Sequence, residues 1–509
     1  MTGWTRRMLA WVTGRSAAGS QPLAGRFDPS RVRRVGPEAA GAGQAAVRKD
    51  SSASQPRLRG SITLPQAVAL YAGAVLGAGV LILPGIAADH AGPGSLLAWG
   101  FDGLLGIPIA LSFAALAARF PDAGGVAAFA ARAFGAAAGP VVGWFYFLAA
   151  AVAQALVALT GAHYAAYALG WRPVQTFALA GAILALAVGA NLYGLRISGR
   201  LQLVLSGAVA LVLLTAAVAA IPRLEAAALS PVLPGGWASV GRTAVLLFFA
   251  FFGWEAITHL SAEFRDPRRD VPRATIFAAV LVTVIYLSVA FAVVATGTYG
   301  HPDLDRVAVA RLLSGSLGVS ATTVAAAAAT IISLATANAF VAATSRLGYA
   351  LGRDGALPAP MSRLTRRDVP AVSILVVGAI AGGGLLLAYL RRWGAEAFLA
   401  VPNSLVIIVY VVGMAAGVRL LTGPARLLAG VAAVLCLAIL PFAGVMLLIP
   451  AAVTAAALAY RHAATRRSRS RPPASRRLQG ARASSFATVD RAAAPSRQGV
   501  KRPGDRRDA

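Results

Sequence analysis

Apolar runs long enough to cross a lipid bilayer, about 20 residues each, follow one another between residues 65 and 460 and dictate what this chain can become. Of its 509 residues, 58% are hydrophobic and only 13% charged, with a mean hydropathy of +0.69. Water-soluble proteins devote about a quarter of their residues to charge, so a soluble enzyme, a small secreted scaffold and a disordered chain are excluded for the body of the sequence. Helices are the expected solution, because hydrocarbon offers backbone amides no partner outside their own segment. Twelve spans are expected near residues 65–88, 95–118, 139–168, 173–192, 201–221, 241–263, 273–297, 319–346, 371–390, 396–418, 425–441 and 443–460. The fold class is therefore an all-α integral membrane protein of about 12 transmembrane helices. The single cysteine, Cys436, lies in an apolar run, so neither a disulfide framework nor a cysteine-based zinc site is available within the chain.

Charge then sets the orientation. A net charge of +28 would by itself suggest a nucleic-acid partner, but its distribution argues otherwise. Residues 1–60 hold 11 Lys and Arg against 3 Asp and Glu, and residues 461–509 hold 14 against 3. Both segments lack a hydrophobic period and are expected to be disordered basic tails. Loops on the same side as the tails carry 15 arginines and the opposite loops carry 7, and positively charged loops stay in the cytoplasm. Both termini are thus expected in the cytoplasm, their basic tails lying along the anionic inner leaflet of the plasma membrane, with no nucleic-acid partner.

Two spans contain interruptions that a plain membrane helix avoids. In the first, LGAGVLILPG sets Gly77, Gly79 and Gly85 beside Pro84; in the sixth, FFAFFGWEA sets Gly253 after a run of aromatics and just before Glu255. Glycine loosens a helix and lets a ligand approach the backbone. Spans 1 and 6 are the corresponding first helices of two five-helix halves, and paired interruptions of this kind point to a transporter's substrate site at mid-membrane. An opening at Gly77 to Gly79 presents N–H groups and the positive end of a half-helix, suited to a carboxylate. Carbonyls released near Val75 and near Phe252 suit an ammonium. Together they make a clamp for an α-amino acid that needs no charged side chain. Glycines that serve only helix packing are the competing explanation, and the matched pair weighs against it.

The stretches GAGVLILPG, RFPDAGGVAAFAARAFG, FFGWEAITHLSAEFRDPRRDVPRA and ANAFVAATSRLGYALGRDGALP resemble the amino acid/polyamine/organocation permeases, and most nearly their bacterial exporters of methionine and branched-chain amino acids. The resemblance runs through residues 60–460. It implies a ten-helix transport core of two inverted five-helix repeats (residues 61–418), broken in helices 1 and 6, followed by two accessory helices (residues 419–460). It also implies alternating access around the broken pair. It places Ala78, Gly79 and Val80 at the substrate carboxylate, the carbonyls of Val75 and Phe252 at the amine, Gly253 at the second break, and Phe249 as an aromatic lid. Ala78 stands where many relatives carry Ser or Thr, so a side-chain hydroxyl is missing from this site.

Ionisable residues inside the apolar spans complete the candidate set. An ionised carboxylate at membrane depth costs a few kcal/mol even on lenient scales, so Glu255 is expected to couple proton binding to gating. His259, one turn further along the same helical face, extends a proton path toward the cytoplasm. A structural hydrogen bond is the competing explanation for both residues. Asp102, inside span 2, is expected to make a polar contact facing the bundle interior in preference to forming a second proton site. Val75, Val80, Phe248, Phe249 and Phe252 offer an apolar lining without a basic side chain, which favours a neutral aliphatic or thioether amino acid. No GxxxxGK[ST] phosphate loop and no histidine-rich cluster occurs, so neither an ATP-driven pump nor an enzyme is expected, and no cofactor. Proton-coupled efflux of leucine, isoleucine, valine or methionine is the expected activity. Coupled import or exchange is the alternative, with Ser333 and Thr336 of span 8 as hydroxyls available to sodium; an amino acid sensor is a further one.

Overall fold

A computed structural model describes residues 64–77, 79–120, 125–194, 199–256 and 267–469. Ala78, His259, both basic tails apart from residues 461–469, and the loop residues Arg265 and Asp266 lie outside the described residues. Helices α1 (Leu64–Val75) and α2 (Gly79–Ala91) together form the first span. Then come α3 (Ser95–Arg119), a short α4 (Gly125–Phe134), α5 (Ala138–Leu169), α6 (Pro173–Leu192) and α7 (Gly199–Ala219). The second half opens with α8 (Gly236–Leu247) and the tight turns Phe248–Phe251 and Trp254–Ala256. It continues through α9 (Pro267–Ala295), a short α10 (Ala308–Leu317), α11 (Val319–Arg353), α12 (Ala371–Arg391) and α13 (Ala395–Leu420). Helices α14 (Gly423–Ala443) and α15 (Leu448–Arg469) close the described chain, in which no strand occurs.

Each predicted span meets helix. Among the described residues, eight continuous stretches are long and apolar enough to cross a membrane, and two of them, Gly79–Arg119 and Gly423–Ala463, each hold parts of two predicted spans. The fifth and sixth spans correspond to the shorter apolar helices Val204–Ala219 and Gly236–Phe251. Helix α15 continues to Arg469, beyond the expected end at residue 460; alanine is the best helix former, and LAYRHAAT carries the helix past its apolar run. Helices α4 and α10 lie between spans, where the apolar runs gave no reason to place one.

Residues up to Ala457 form one compact unit, whose internal packing follows the order of the halves. The two most extensive helix contacts join α5 to α11 and α3 to α9, and α6 also packs along α12. These are spans 3 with 8, 2 with 7 and 4 with 9, so three helices of the first half meet their counterparts in the second, the pairing expected of two five-helix repeats. Small residues set the separations. A Cβ on Gly161 of α5 would fall 2.8 Å from the Ser333 side chain of α11, and one on Gly103 of α3 would fall 2.4 Å from Thr283 of α9. Such contacts let membrane helices approach more closely than any larger residue permits. Leu386 and Leu390 of α12 and Val434 and Leu437 of α14 point outward, an apolar exterior that suits lipid and not water.

Candidate functional site at the paired helix breaks

Both predicted breaks are present. The first lies between α1 and α2, where Gly77 N donates to the Val75 carbonyl at 2.7 Å and Val80 N to the Gly77 carbonyl at 3.4 Å. Short-range turns thus replace the helical ladder at this point. In the second, α8 tightens through Phe248–Phe251, Phe252 is extended at φ −71° and ψ 124°, and Gly253 takes φ 132°. Only glycine adopts that φ without strain, so Gly253 is the pivot of the break.

The two breaks face each other. A Cβ on Gly79 would lie 2.8 Å from Cε1 of Phe249, so the partly buried Phe249 ring rests directly on the start of α2. Val80 is buried beside it, and so is Phe252, whose ring packs against Tyr146 at 5.2 Å and Phe340 at 6.3 Å between centroids. Thr336 of α11 is the side chain nearest to Gly77. Ser333, one turn earlier, is fully buried with no hydrogen-bond partner for its hydroxyl among the described residues.

Tyrosines satisfy the backbone that the breaks release. The Tyr286 hydroxyl of α9 bridges the Val75 carbonyl at 2.9 Å and the Ala250 carbonyl at 3.1 Å, one from each break. Tyr71 of α1 donates to the Trp254 carbonyl at 2.8 Å, and Tyr164 of α5, donating at 2.7 Å to the Leu81 carbonyl inside α2, steadies the start of that helix beside the first break. Asn403 of α13 holds the Leu246 carbonyl at 2.9 Å, where α8 begins to tighten. Val75 is therefore buried with its carbonyl already engaged, and an ammonium arriving there has to share it with Tyr286 or displace the hydroxyl.

Glu255 is buried and draws donors from three directions. Tyr146 of α5 donates to Oε1 at 2.6 Å, Tyr410 of α13 donates to Oε2, and Gly253 N reaches Oε2 at 3.3 Å. An ionised carboxylate is an acceptor only, and these donors provide what it needs. They also tie the segment after the break to spans 3 and 10. Five of the eleven tyrosines thus act on the two breaks, and the sequence reading identified none of them. A signal existed: all five lie within predicted spans, where a phenol hydroxyl must find a partner. Asp102 departs from its expectation in the opposite sense. It faces the interior at 1% exposure, yet neither of its oxygens has a hydrogen-bond partner among the described residues.

The chain matches a family model for amino acid permeases over residues 67–460, a range that holds both breaks. It is 35% identical over 409 residues to the amino acid permease YecA of Bacillus subtilis, covering 80% of this chain and 96% of that one. It is 29% identical over 389 residues to the L-methionine/branched-chain amino acid exporter YjeH of Escherichia coli, covering 76% and 92%. With the gamma-aminobutyric acid permease of Escherichia coli it shares 29% over 340 residues, or 64% and 72% of the two chains. A multi-span helical bundle, two facing helix breaks and this match together establish that the chain belongs to the amino acid permease family of the amino acid/polyamine/organocation superfamily and is a membrane transporter.

Proposed function

We propose that this permease exports neutral amino acids of the branched-chain or methionine type across the plasma membrane by alternating access, driven by inward proton movement. The observation that carries the proposal is the seating of Phe249 on Gly79, with Val80 and Phe252 buried alongside. The side chains gathered there are apolar or aromatic, and none is basic. A substrate carboxylate is held by backbone amides from Ala78 to Val80, its ammonium by the carbonyls of Val75 and Phe252, and its side chain by Val80, Phe249 and Phe252. The similarity to a methionine and branched-chain exporter supports both substrate class and direction.

Glu255 supplies the coupling. While it accepts from Tyr146, Tyr410 and the Gly253 amide, the segment after the break is tied to α5 and α13. Taking up a proton turns one acceptor oxygen into a donor, so one tyrosine bond is lost and the segment is free to tilt. Release of the proton restores the bond. His259, four residues further along the sequence, is the next ionisable residue on the proposed path to the cytoplasm. Both termini are cytoplasmic in this scheme, with the basic tails on the anionic inner leaflet. Residues 61–418 move the substrate and residues 419–460 are accessory.

Sodium in place of protons is favoured by one observation, the buried and unpartnered Ser333 hydroxyl on the same helix as Thr336, which lies beside Gly77. Purified protein in liposomes, given labelled amino acids under imposed proton or sodium gradients, separates the two. The expected result is proton-driven movement of leucine, isoleucine, valine or methionine out of the compartment that faces the termini. Transport of arginine or glutamate but none of these four refutes the substrate assignment, and drive by sodium alone refutes the proton.

A further inference from the structure

Asp102 of α3 has no place in the mechanism above. It lines a crevice with Gly106 of its own helix, Phe248, Phe251 and Trp254 from the sixth span, and Tyr410 of α13. The crevice is too narrow to hold a water molecule. Among the described residues, neither Asp102 oxygen has a hydrogen-bond partner and no charged side chain lies close enough to act on it. An ionised carboxylate left unpaired in such surroundings costs several kcal/mol, far more than the neutral acid.

Donors suited to a carboxylate nevertheless surround the position without being engaged. The indole N–H of Trp254 has no partner among the described residues; it lies against Gly106, where a Cβ would fall 2.8 Å from Nε1, and Gly106 is one helical turn from Asp102 on the same face. Among the described residues the Trp99 indole, three residues before Asp102 on that face, also has none, and neither does the Thr283 hydroxyl of α9, which packs against Gly103. The titratable groups brought toward Asp102 by neighbouring helices are engaged or apolar in character. Tyr410 of α13 gives its hydroxyl to Glu255, Tyr286 of α9 packs on Trp99 and bonds the two break carbonyls, and Cys436 of α14 is a buried thiol within electrostatic reach. The decisive element is Trp254. It sits between Gly253 and Glu255, so any tilt of that segment that alters the Glu255 bonds also moves the indole relative to Asp102.

We propose that Asp102 is a second proton-binding site of the transporter, protonated in the arrangement seen here and ionised when the sixth span moves. On that movement the crevice opens to water, the carboxyl O–H bond breaks with its electron pair left on the carboxylate, and the proton passes to the admitted water. The Trp254 and Trp99 N–H groups and the Thr283 hydroxyl then stabilise the anion. Asp102, which shares its crevice with Tyr410, and Glu255, which accepts the Tyr410 hydroxyl, thus both report on one moving segment.

This inference rests on the transport reading, and the test keeps the two apart. In the liposome assay above, Asp102→Asn preserves size but binds no proton. It is expected to lose proton-driven accumulation and to move fewer protons per amino acid, measured with an entrapped pH dye, while substrate-for-substrate exchange, which needs no net proton movement, suffers much less. An Asp102→Asn protein with the wild-type pH profile and proton-to-substrate ratio overturns the proposal. Wild-type protein that moves no amino acid at all overturns the transport reading instead. Infrared difference spectra taken with and without substrate supply a readout independent of transport. A protonated-carboxyl band that responds to substrate is expected in the wild type and in Glu255→Gln but not in Asp102→Asn. Should Asp102→Asn fail to assemble, Asp102→Glu is expected to shift that band, and a substrate-sensitive band left unshifted overturns the assignment.

Discussion

Two glycines, two residues apart in the first break, respond differently to the same added methyl group. A Cβ on Gly79 would lie 2.8 Å from Cε1 and 3.0 Å from Cδ1 of Phe249, whereas one on Gly77 would meet nothing closer than Thr336 Cγ2 at 3.9 Å and the Val75 carbonyl at 4.0 Å. Carbon atoms in good contact lie about 3.5–4.0 Å apart, so Gly79→Ala obliges the Phe249 ring to retreat by roughly 1 Å. Crowding of this sort costs about 1–3 kcal/mol in a packed site, and only in the closed arrangement, where ring and helix meet. Taking about 1–2 kcal/mol, the closed state becomes roughly five- to thirtyfold rarer, and the maximal exchange rate of labelled leucine in liposomes falls by the same factor. Gly77→Ala loses at most about twofold, the effect of a change within about 0.5 kcal/mol. The thermal unfolding midpoint of Gly79→Ala is not lowered, because the Phe249 ring is only partly buried and alanine is the better helix former. Adding Phe249→Leu to Gly79→Ala restores part of the rate by removing the ring atoms that clash. Wild-type exchange by Gly79→Ala, or equal loss in both alanine variants, refutes the claim that Phe249 closes on Gly79.

Tyr146→Phe and Tyr410→Phe each remove one donor to Glu255, a hydrogen bond to a charged group being worth about 1.5–3 kcal/mol. Each changes the pH dependence of transport, and the two effects fail to add; in a Glu255→Gln background neither has further effect on that profile, which a pH series on the wild type, the single variants and their combinations checks. On the loop between α9 and α10, burial, reinforced by the nearby charge of Asp89, raises Asp305 above its ordinary value of 3.8, outweighing the bond from His301 N and the charge of Arg311 at 3.6 Å. Its protonated form is therefore favoured by the fold, so its contribution to loop stability is complete below pH 3.8 and is lost as pH rises through the raised value. Hydrogen exchange of residues 301–317 is expected to slow on acidification beyond its intrinsic trend, and Asp305→Asn to abolish the difference. Cys436, the only cysteine in the chain and buried, resists maleimide in the folded protein and is modified fully after denaturation; labelling of the native protein at the free-thiol rate contradicts its placement.

What the sequence disclosed and what it withheld divide along the range of the interactions. A span is written in its own run of apolar residues, and a break in its own glycine, which is why Gly77 to Gly79 and Gly253 were legible. Helices α4 and α10 were not, since ten residues of mixed character between spans carry no bilayer-length run. The partners of the breaks were also hidden. Tyr286 lies 211 residues from Val75 and 36 from Ala250, and nothing local in any of the three positions announces that they meet. The same distance hid the donors of Glu255, 109 and 155 residues away, and left Asp102 looking like a residue with a polar partner when its oxygens have none among the described residues.

The hidden partners bear on mechanism as well as on stability. A carbonyl freed at membrane depth cannot be left to lipid, so each break persists only while something else bonds it. For one carbonyl of each break that something is the same hydroxyl, since Tyr286 reaches both Val75 and Ala250. A hydroxyl has one proton to give, so strengthening its bond to one helix weakens its bond to the other. In the binding mode proposed above, an ammonium that took over the Val75 carbonyl would turn Tyr286 toward Ala250 and stiffen the sixth span at the moment of binding. Two breaks joined through one phenol would then respond as a single element. Tyr286→Phe is accordingly expected to uncouple them, so that substrate still binds but no longer changes the hydrogen exchange of residues 248–256. A substrate effect on that segment equal to wild type refutes the link.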